Sequence, residues 1–365
     1  MSAPAPTRAE ILAGDADERV DWYAGRILPH RELRRVTDEV TSLLRPRRPG
    51  QIVIVVGPTG VGKTTLLEEL KASLLAAAPP GMLPAVSMEC PSPEKGGYEF
   101  GRKHWRSLVE AMNDPFPDDH MPPDVAAERR QRGIEWPATG RRSTSDDLRR
   151  AAIAMAPLLG VRAVLLDESQ HLFSEAGGRS IVMQMDALKS FSNQCDVKHV
   201  LFGTSDMFIA GDFKDLNAQL ARRTRTVLFD AYRYDHADDR LEFEQVLIQL
   251  LRLMPLRERV QASIGRVTGK AARGREPRYR IEKPWLELAF LHSAGCVGIL
   301  KDLLVSALDE VLSAGRESLA LEDLQRECDR LNAGGGLHII ADNVSQWHKI
   351  KPEGSLPEAR SSLGL

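Results

Sequence analysis

Apolar runs and amphipathic segments alternate along the first two thirds of the chain. Continuous apolar runs predict strands that are buried on both faces of a parallel sheet, and they lie at 51–56, 84–90, 162–168, 197–205 and 225–230. Helical spacing of apolar residues predicts helices at 31–44, 63–78, about 98–112, 145–159, 179–194 and 213–222. This alternation predicts an α/β fold, with a five-stranded parallel sheet and helices on both faces.

The rest of the chain predicts a second, helical domain. Strand patterns stop at 237, and helical spacing follows at 238–254, 284–295, 297–315 and 321–332. We therefore expect four parts: a flexible leader at 1–20, an α/β domain at 21–235 with an insertion at about 91–147, a small helical domain at 236–332 and a C-terminal tail at 333–365. The leader is rich in alanine, proline and charge, and the tail opens with AGGG.

Composition restricts the class of protein without assigning a function. Of the 365 residues 42% are hydrophobic and 27% charged, which is typical of a globular protein. The net charge of −2 excludes a uniformly basic coat for nucleic acid, although a local basic face remains open. Four widely separated cysteines predict neither a disulfide framework nor a zinc site. No apolar run reaches a membrane span of about 20 residues, and no signal core opens the chain, so we expect a cytoplasmic protein without a membrane partner.

A glycine-rich segment between the first strand and the following helix predicts a phosphate-binding loop. It fits the pattern G-x-x-x-x-G-K-[ST], in which backbone N–H groups at a helix N-terminus bind phosphate oxygens. Lys63 would bring a positive charge to the β- and γ-phosphates, and the hydroxyl of Thr64 would bind Mg²⁺. We expect ATP to contact Gly57, Pro58, Thr59, Gly60, Val61, Gly62, Lys63, Thr64 and Thr65.

Polar residues follow the third and fourth predicted strands. Asp167 and Glu168 end a run of four apolar residues, at the edge where parallel sheets gather their functional groups. After a phosphate loop, we interpret Asp167 as a residue that holds Mg²⁺, directly or through water, and Glu168 as the group that orients and polarises the attacking water. A helix cap is the alternative explanation for this acidic pair. Thr204 could reach that water or the γ-phosphate, and ordinary turn chemistry is the alternative explanation for it.

Arginines precede the fifth predicted strand, at Arg222, Arg223 and Arg225. There they could contact the nucleotide of a neighbouring subunit and stabilise the transition state, as arginine fingers do. A solvated basic helix end, which is favourable to the helix dipole, is the alternative.

Taken together, these motifs resemble those of an AAA+ ATPase, and the resemblance covers roughly residues 20–332. Asp167-Glu168-Ser169-Gln170-His171-Leu172 looks like the DEAQHL-type box of the TniB/TnsC transposition regulators and of the related ExeA-type ATPases. The segment at 219–223 resembles the QLA-x-R segment of TniB, and this similarity implies that Arg223 is the finger. The resemblance implies a P-loop AAA+ fold followed by a helical lid.

Two further segments resemble parts of the same family. Residues 26–33 look like the segment that packs on adenine, which implies a contact from Ile27. Residues 295–301 are similar to the S-G-G-x-I-G motif of the lid. Many AAA+ lids carry a sensor arginine there, whereas the nearest basic residue in this chain is Lys301. The resemblance therefore implies either weak coupling of the lid to the γ-phosphate or partial replacement of the arginine by Lys301 in nucleotide binding.

The resemblance implies a function in DNA transposition. Proteins of this family form ATP-dependent homo-oligomers, as rings or helical filaments, on double-stranded DNA. They link a target-selection protein to the transposase subunits and disassemble after hydrolysis. An ExeA-like secretion ATPase and a helicase-loader-type replication ATPase are the alternatives, and a nucleotide that serves only as structural glue is disfavoured by Glu168.

Two basic stretches are candidate DNA surfaces. The insertion holds Lys103 and Arg106, and residues 257–283 contain nine basic and three acidic residues, a net charge of +6. Such stretches could neutralise DNA phosphates. Solvated basic loops are the competing explanation for both.

Overall fold

A computed structural model of the chain describes residues 6–45, 52–90, 100–113, 144–173, 178–204, 224–258, 260–266, 279–333 and 335–350. The chain divides into two compact units. The first unit comprises Met1–Arg34, Pro58–Gly62 and Asp230–Leu365, and the second comprises Arg35–Gly57 and Lys63–Phe229. The predicted helix at 213–222 and residues 114–143 of the predicted insertion lie outside the described residues.

The second unit is built on a parallel sheet of five strands, as the hydrophobic pattern predicted. The strands are β1 (Ile52–Val56), β2 (Ala85–Glu89), β3 (Ala163–Asp167), β4 (Lys198–Gly203) and β5 (Thr224–Leu228). Their order across the sheet is β2-β3-β4-β1-β5. Every residue of β1 is buried, which explains its unbroken run of β-branched side chains.

Helices precede, separate and follow the strands. In chain order they are α1 (Arg8–Ala13), α2 (Ala16–Ala24), α3 (Arg31–Leu44), α4 (Lys63–Ala76), α5 (Trp105–Asn113), α6 (Ser145–Leu159), α7 (Gln170–Phe173), α8 (Gly178–Cys195), α9 (Ala237–Leu253), α10 (Lys283–Ser293), α11 (Val297–Ser313), α12 (Leu321–Ala333) and α13 (Gly336–Ile350). A π-helical turn, Phe100–His104, leads into α5. The four cysteines are buried and free of disulfide bonds.

The register of the central strands places their carboxyl ends along one edge. Val56, the last residue of β1, pairs with Gly203 at the end of β4. On the other side of β4, Leu166 of β3 pairs with Leu201. The segments after β1, β3 and β4 therefore leave the sheet side by side, and these segments carry the predicted phosphate loop, the two carboxylates and Thr204.

The first unit has a helical core and, contrary to the sequence prediction, a small sheet. Side chains of α9, α10, α11 and α12 form its core, with Trp285 and Phe243 fully buried. Two strands, β6 (Ile264–Arg266) and β7 (Tyr279–Ile281), pair antiparallel after residue 237, where strands were expected to stop. Three residues are too few to display a period of two, so the pattern could not reveal them.

The described parts of the expected leader and tail contain helices, namely α1 and the start of α2 before residue 20 and α13 after residue 335. Capping boxes at Thr7 and Asp15 start α1 and α2, and Tyr23 of α2 is fully buried. Near the other end, Trp347 of α13 is fully buried, and its Nε1–H donates to Asp230 Oδ1 at 2.9 Å. Composition did not predict these helices, because one large aromatic side chain can anchor a short helix whatever the average composition of its segment.

Within the described residues, no single helix is long and apolar enough to cross a membrane; only α10 and α11, which form a pair bent by 114°, pass that test together. Both helices contribute buried side chains to the core of the first unit.

Arg19 fixes α2 within the first unit. Its side chain is only 4% exposed, and its Nε–H donates to the carbonyl oxygen of Pro255 at 2.8 Å. Its two terminal nitrogens donate to Glu317 at 2.9 and 2.6 Å, which makes a bidentate ion pair. These hydrogen bonds lower the pKa of Glu317 to about 2.

We predict that Arg19→Met lowers the free energy of unfolding by about 2 kcal/mol at pH 7, because a carboxylate and a carbonyl oxygen lose charged donors. The loss should shrink as the pH falls from about 4.5 towards 2, since the native pKa of Glu317 lies below its ordinary value and its protonation removes the ion pair. Urea unfolding at several pH values measures this. Lys283→Met, which breaks an exposed ion pair, is the control. An Arg19→Met protein with wild-type stability at pH 7 would contradict the prediction.

Candidate functional site

The predicted phosphate loop lies between β1 and α4, as the motif required. The N–H of Gly57 donates to Gly203 O at 3.3 Å, and Lys63 opens α4. Gly60 and Gly62 have φ values of +76° and +108°, a region that other residues rarely adopt. The buried Lys63 ammonium donates to Gly57 O at 3.0 Å, so the side chain turns back over the start of its own loop.

Two glycines bring the loop against the start of α11. A Cβ atom on Gly60 would lie 2.3 Å from Ile299 Cγ1, and one on Gly298 would lie 2.5 Å from Gly60 O. The N–H of Ile299 donates to that oxygen at 3.3 Å. The glycine at position 298 is therefore explained by a close backbone contact with the phosphate loop.

A second contact to the loop comes from α13, and the sequence analysis missed it. Asn343 accepts a hydrogen bond from the N–H of Thr59 through its Oδ1, at 2.9 Å. The neighbouring Val344 is buried against Ala231 and Cys296, and Trp347 anchors the next turn of the helix. No sequence motif marks an asparagine for this role, because it depends on a partner 284 residues away.

The two residues predicted to hold Mg²⁺ are in contact. Thr64, the second residue of α4, donates from Oγ1 to Asp167 Oδ2 at the end of β3, at 2.8 Å. The N–H of Cys90 donates to Asp167 O at 3.0 Å, which holds the backbone of this residue against the chain beyond β2. A hydroxyl and a carboxylate oxygen form the hard donor set that Mg²⁺ prefers.

Glu168 has an unusual backbone conformation. Its φ is +50°, in the left-handed region that costs a non-glycine residue about 1–3 kcal/mol. Its N–H donates to Asp167 Oδ1 at 2.9 Å, and the next residue, Ser169, donates its N–H to Phe202 O at 2.7 Å. Hydrogen bonds to the ends of β3 and β4 thus hold the turn in place. A strained backbone conformation that is held by its surroundings is typical of functional sites.

Gln170 joins Glu168 to Thr204. Its amide nitrogen donates to Glu168 Oε2, and its amide oxygen accepts the N–H of Thr204 at 3.3 Å. Thr204 directly follows β4 and is 8% exposed. The structure therefore brings two predicted site residues together through a third whose role the sequence analysis did not assign.

Two residues implied by the family resemblance lie in the first unit. Ile27 is 46% exposed, an unusual degree for so large an apolar side chain. The ammonium of Lys301 donates to the carbonyl oxygens of Ala24, at 2.6 Å, and of Arg26. It therefore caps the end of α2, and burial lowers its pKa. Contact with a nucleotide would require Lys301 to release these carbonyls.

Only one of the three candidate arginine fingers lies within the described residues. Arg222 and Arg223 lie outside the described residues, whereas Arg225 lies in β5 and donates to Thr224 O at 3.0 Å. Of the DNA candidates, Lys103 is half-buried in the π-helical turn, and one terminal nitrogen of Arg106 is buried without a hydrogen-bond partner among the described residues. Residue 259 and residues 267–278 of the second basic stretch also lie outside the described residues.

The residues present fit a nucleoside triphosphate with Mg²⁺. The loop has no room for a side chain at Gly60, the buried Lys63 ammonium lies against Gly57 O, and the Thr64 hydroxyl contacts the Asp167 carboxylate beside the loop. Within the described parts of the chain, no cluster of three or more His, Cys, Asp or Glu side chains could hold a metal ion by itself. Mg²⁺ would therefore rely on Thr64, Asp167 and phosphate oxygens, as is usual for this ion.

The fold and the site define the class: this is a P-loop AAA fold with a helical C-terminal region. Residues 47–208 match the family model described as an AAA domain. No curated protein matches the chain.

Solved structures with a similar fold are distant in sequence. The Walker-type ATPase PABY2304 of Pyrococcus abyssi is 15% identical, with a TM-score of 0.50 over 90% of this chain and 80% of that one. The ORC1 protein of Aeropyrum pernix, solved in complex with DNA, is 16% identical, with a TM-score of 0.48 over 88% and 68% of the two chains. At such identities, the likeness is one of fold alone.

We predict that Asn343→Ala weakens nucleotide binding about fivefold, because the loop loses one hydrogen bond of about 1 kcal/mol that preorganises it. Asn343→Asp keeps an acceptor but adds a negative charge beside a loop that binds phosphates, so its loss should be larger and should diminish with added salt. Titration with a fluorescent ATP analogue measures both. Asn332→Ala on α12 is the control, and unchanged affinity in both Asn343 variants would contradict the prediction.

Proposed function

We propose that the chain is an ATP-hydrolysing AAA+ regulator of DNA transposition that assembles on double-stranded DNA when it binds ATP. The observation that carries the ATPase assignment is the contact of Thr64 with Asp167, beside Glu168, at the carboxyl edge of the sheet. The loop, the metal-binding pair and a candidate base thus lie on segments that leave adjacent strands.

Each residue has a distinct part in the proposed hydrolysis. Backbone N–H groups of the loop and the Lys63 ammonium hold the β- and γ-phosphates. Thr64 and Asp167 would hold Mg²⁺, which would neutralise charge on the phosphates. A water molecule attacks the γ-phosphorus through its oxygen, and Glu168 accepts a proton from that water. The bond from that phosphorus to the β–γ bridging oxygen breaks, which yields ADP and inorganic phosphate, and Thr204 orients the water or the γ-phosphate.

We predict that Glu168→Gln lowers ATP turnover by roughly 10²-fold or more, because an amide cannot accept the proton. ATP should still bind, since the phosphate-holding groups are intact. Lys63→Ala should instead abolish binding, because the phosphates lose their positive charge. Phosphate release and fluorescent-nucleotide binding, measured on both variants, separate the two effects. Wild-type turnover by Glu168→Gln would show that Glu168 is not the proton acceptor.

The proposed assembly is a homo-oligomer, as a ring or a helical filament, in which Arg223 completes the site of a neighbouring subunit. This part of the proposal rests on the resemblance of 219–223 to the TniB segment, with Arg222 and Arg225 as the other candidates. An arginine supplied by the neighbour would make hydrolysis depend on assembly.

The DNA surface is proposed on the π-helical turn and the first turn of α5, which carry Arg102, Lys103 and Arg106. Arg102 is exposed and Lys103 half-exposed at the end of the turn. Contacts from such residues would be to phosphates, so binding would be largely independent of DNA sequence. The buried nitrogen of Arg106 makes it a weaker candidate than Lys103.

We predict that Lys103→Ala flattens the slope of log affinity against log salt by about one unit, the value for one lost phosphate contact. DNA binding across a salt series, with a slowly hydrolysed ATP analogue present, measures the slope. Arg233→Ala, an exposed arginine paired with Asp235, is the control. A wild-type slope in Lys103→Ala would exclude this surface and direct attention to residues 257–283.

The link to transposition rests on the sequence resemblance of 167–172 and 219–223, with transposase subunits and a target-selection protein as the proposed partners. The test is a transposition assay with and without the chain, with Glu168→Gln as the hydrolysis-deficient form. Loss of targeted insertion without the chain supports the proposal. Unchanged transposition, with helicase loading that depends on the chain, would favour the replication alternative.

A further inference from the structure

Gln170 makes a connection whose geometry is unambiguous. A glutamine amide has a donor end and an acceptor end, and its partners decide which atom faces which. The carboxylate of Glu168 can only accept when it is ionised, and the N–H of Thr204 can only donate. The donor end must therefore face Glu168 and the acceptor end Thr204, as the contacts have it.

The two residues that Gln170 joins belong to different strands. Glu168 follows β3 and Thr204 follows β4, and the two strands pair only as far as Leu166 and Leu201. Beyond that point, the ladder between them stops. The hydrogen bond from Ser169 N–H to Phe202 O and the Gln170 amide continue the connection.

Glu168 needs such a restraint more than an ordinary surface glutamate does. Its left-handed backbone must be held by its surroundings, and its side chain must direct one oxygen at a water molecule. Gln170 donates to Oε2, so it fixes the carboxylate plane while the second oxygen remains available to accept a proton.

We propose that Gln170 is a positioning residue for ATP hydrolysis, which holds the Glu168 carboxylate in a fixed orientation relative to Thr204. The inference rests on the proposed role of Glu168 as the proton acceptor. In this proposal Gln170 acts only through Glu168, whose carboxylate accepts a hydrogen bond from its amide.

Two substitutions at this position separate positioning from simple packing. Gln170→Met keeps the length of the side chain but removes both hydrogen bonds. We expect kcat to fall roughly ten- to a hundredfold, the scale for a misplaced catalytic group, with unchanged nucleotide affinity and melting temperature. Gln170→Glu keeps the shape and an acceptor for Thr204 but replaces the donor with a second carboxylate.

The split between kcat and nucleotide affinity gives the readout that packing would not affect. Gln170→Glu keeps the acceptor for the N–H of Thr204 but cannot donate to Glu168, so its kcat should fall as far as that of Gln170→Met while its nucleotide affinity stays unchanged. A packing role alone would leave the kcat of Gln170→Glu at the wild-type value. The matched control is Gln325→Met, because the amide of Gln325 also donates to a carboxylate, that of Asp329, at 2.9 Å on the surface.

Each result is decisive. A lower kcat in both Gln170→Met and Gln170→Glu, with unchanged nucleotide affinity, supports the proposal. Wild-type or higher kcat in Gln170→Met, while Glu168→Gln is inactive, overturns it and leaves the proposed function intact. Wild-type kcat in Gln170→Glu also overturns it, whether or not Gln170→Met folds. Normal turnover by Glu168→Gln would instead remove the proposed base and the inference with it.

Discussion

The candidate site depends on one constraint: in a parallel sheet all strands end at the same edge. Because β4 lies between β1 and β3, the segments after these three strands emerge as neighbours. The hydrogen bond from Thr64 to Asp167 spans 103 residues of sequence and forms only if this order is kept. An antiparallel partner at any of the three positions would place its following residues at the opposite edge of the sheet.

The sheet and the centre of the site could be predicted because their signals are local. Buried parallel strands appear as unbroken apolar runs, and the phosphate loop combines fixed glycines with Lys63. What the sequence did not reveal depends on distant partners. The helices near 20 and 345 are stabilised by a few buried side chains, Arg19 and Tyr23 in one case and Val344 and Trp347 in the other. The three-residue strands β6 and β7 have no readable period. Gln170 was part of a recognised motif, yet its role follows only from the ends of β3 and β4.

The glycines at 60 and 298 show how a backbone contact can replace side-chain recognition. The carbonyl oxygen of Gly60 accepts a hydrogen bond from the N–H of Ile299. The N–H of the preceding residue, Thr59, donates to Asn343 Oδ1. The apex of the phosphate loop is thus tied to α11 and to α13, both in the first compact unit. The loop is shaped by the helical part of the chain as well as by its own sequence.

The contact between Thr59 and Asn343 also bears on the order of events during synthesis. The ribosome makes the loop first, and the asparagine is the 284th residue that it adds after Thr59. At the usual rate of about 5–20 residues per second, that delay is roughly 15 to 60 seconds. During this interval the nascent chain carries its phosphate loop without the restraint from α13, so a nucleotide that binds then would meet the loop before Asn343 can hold it.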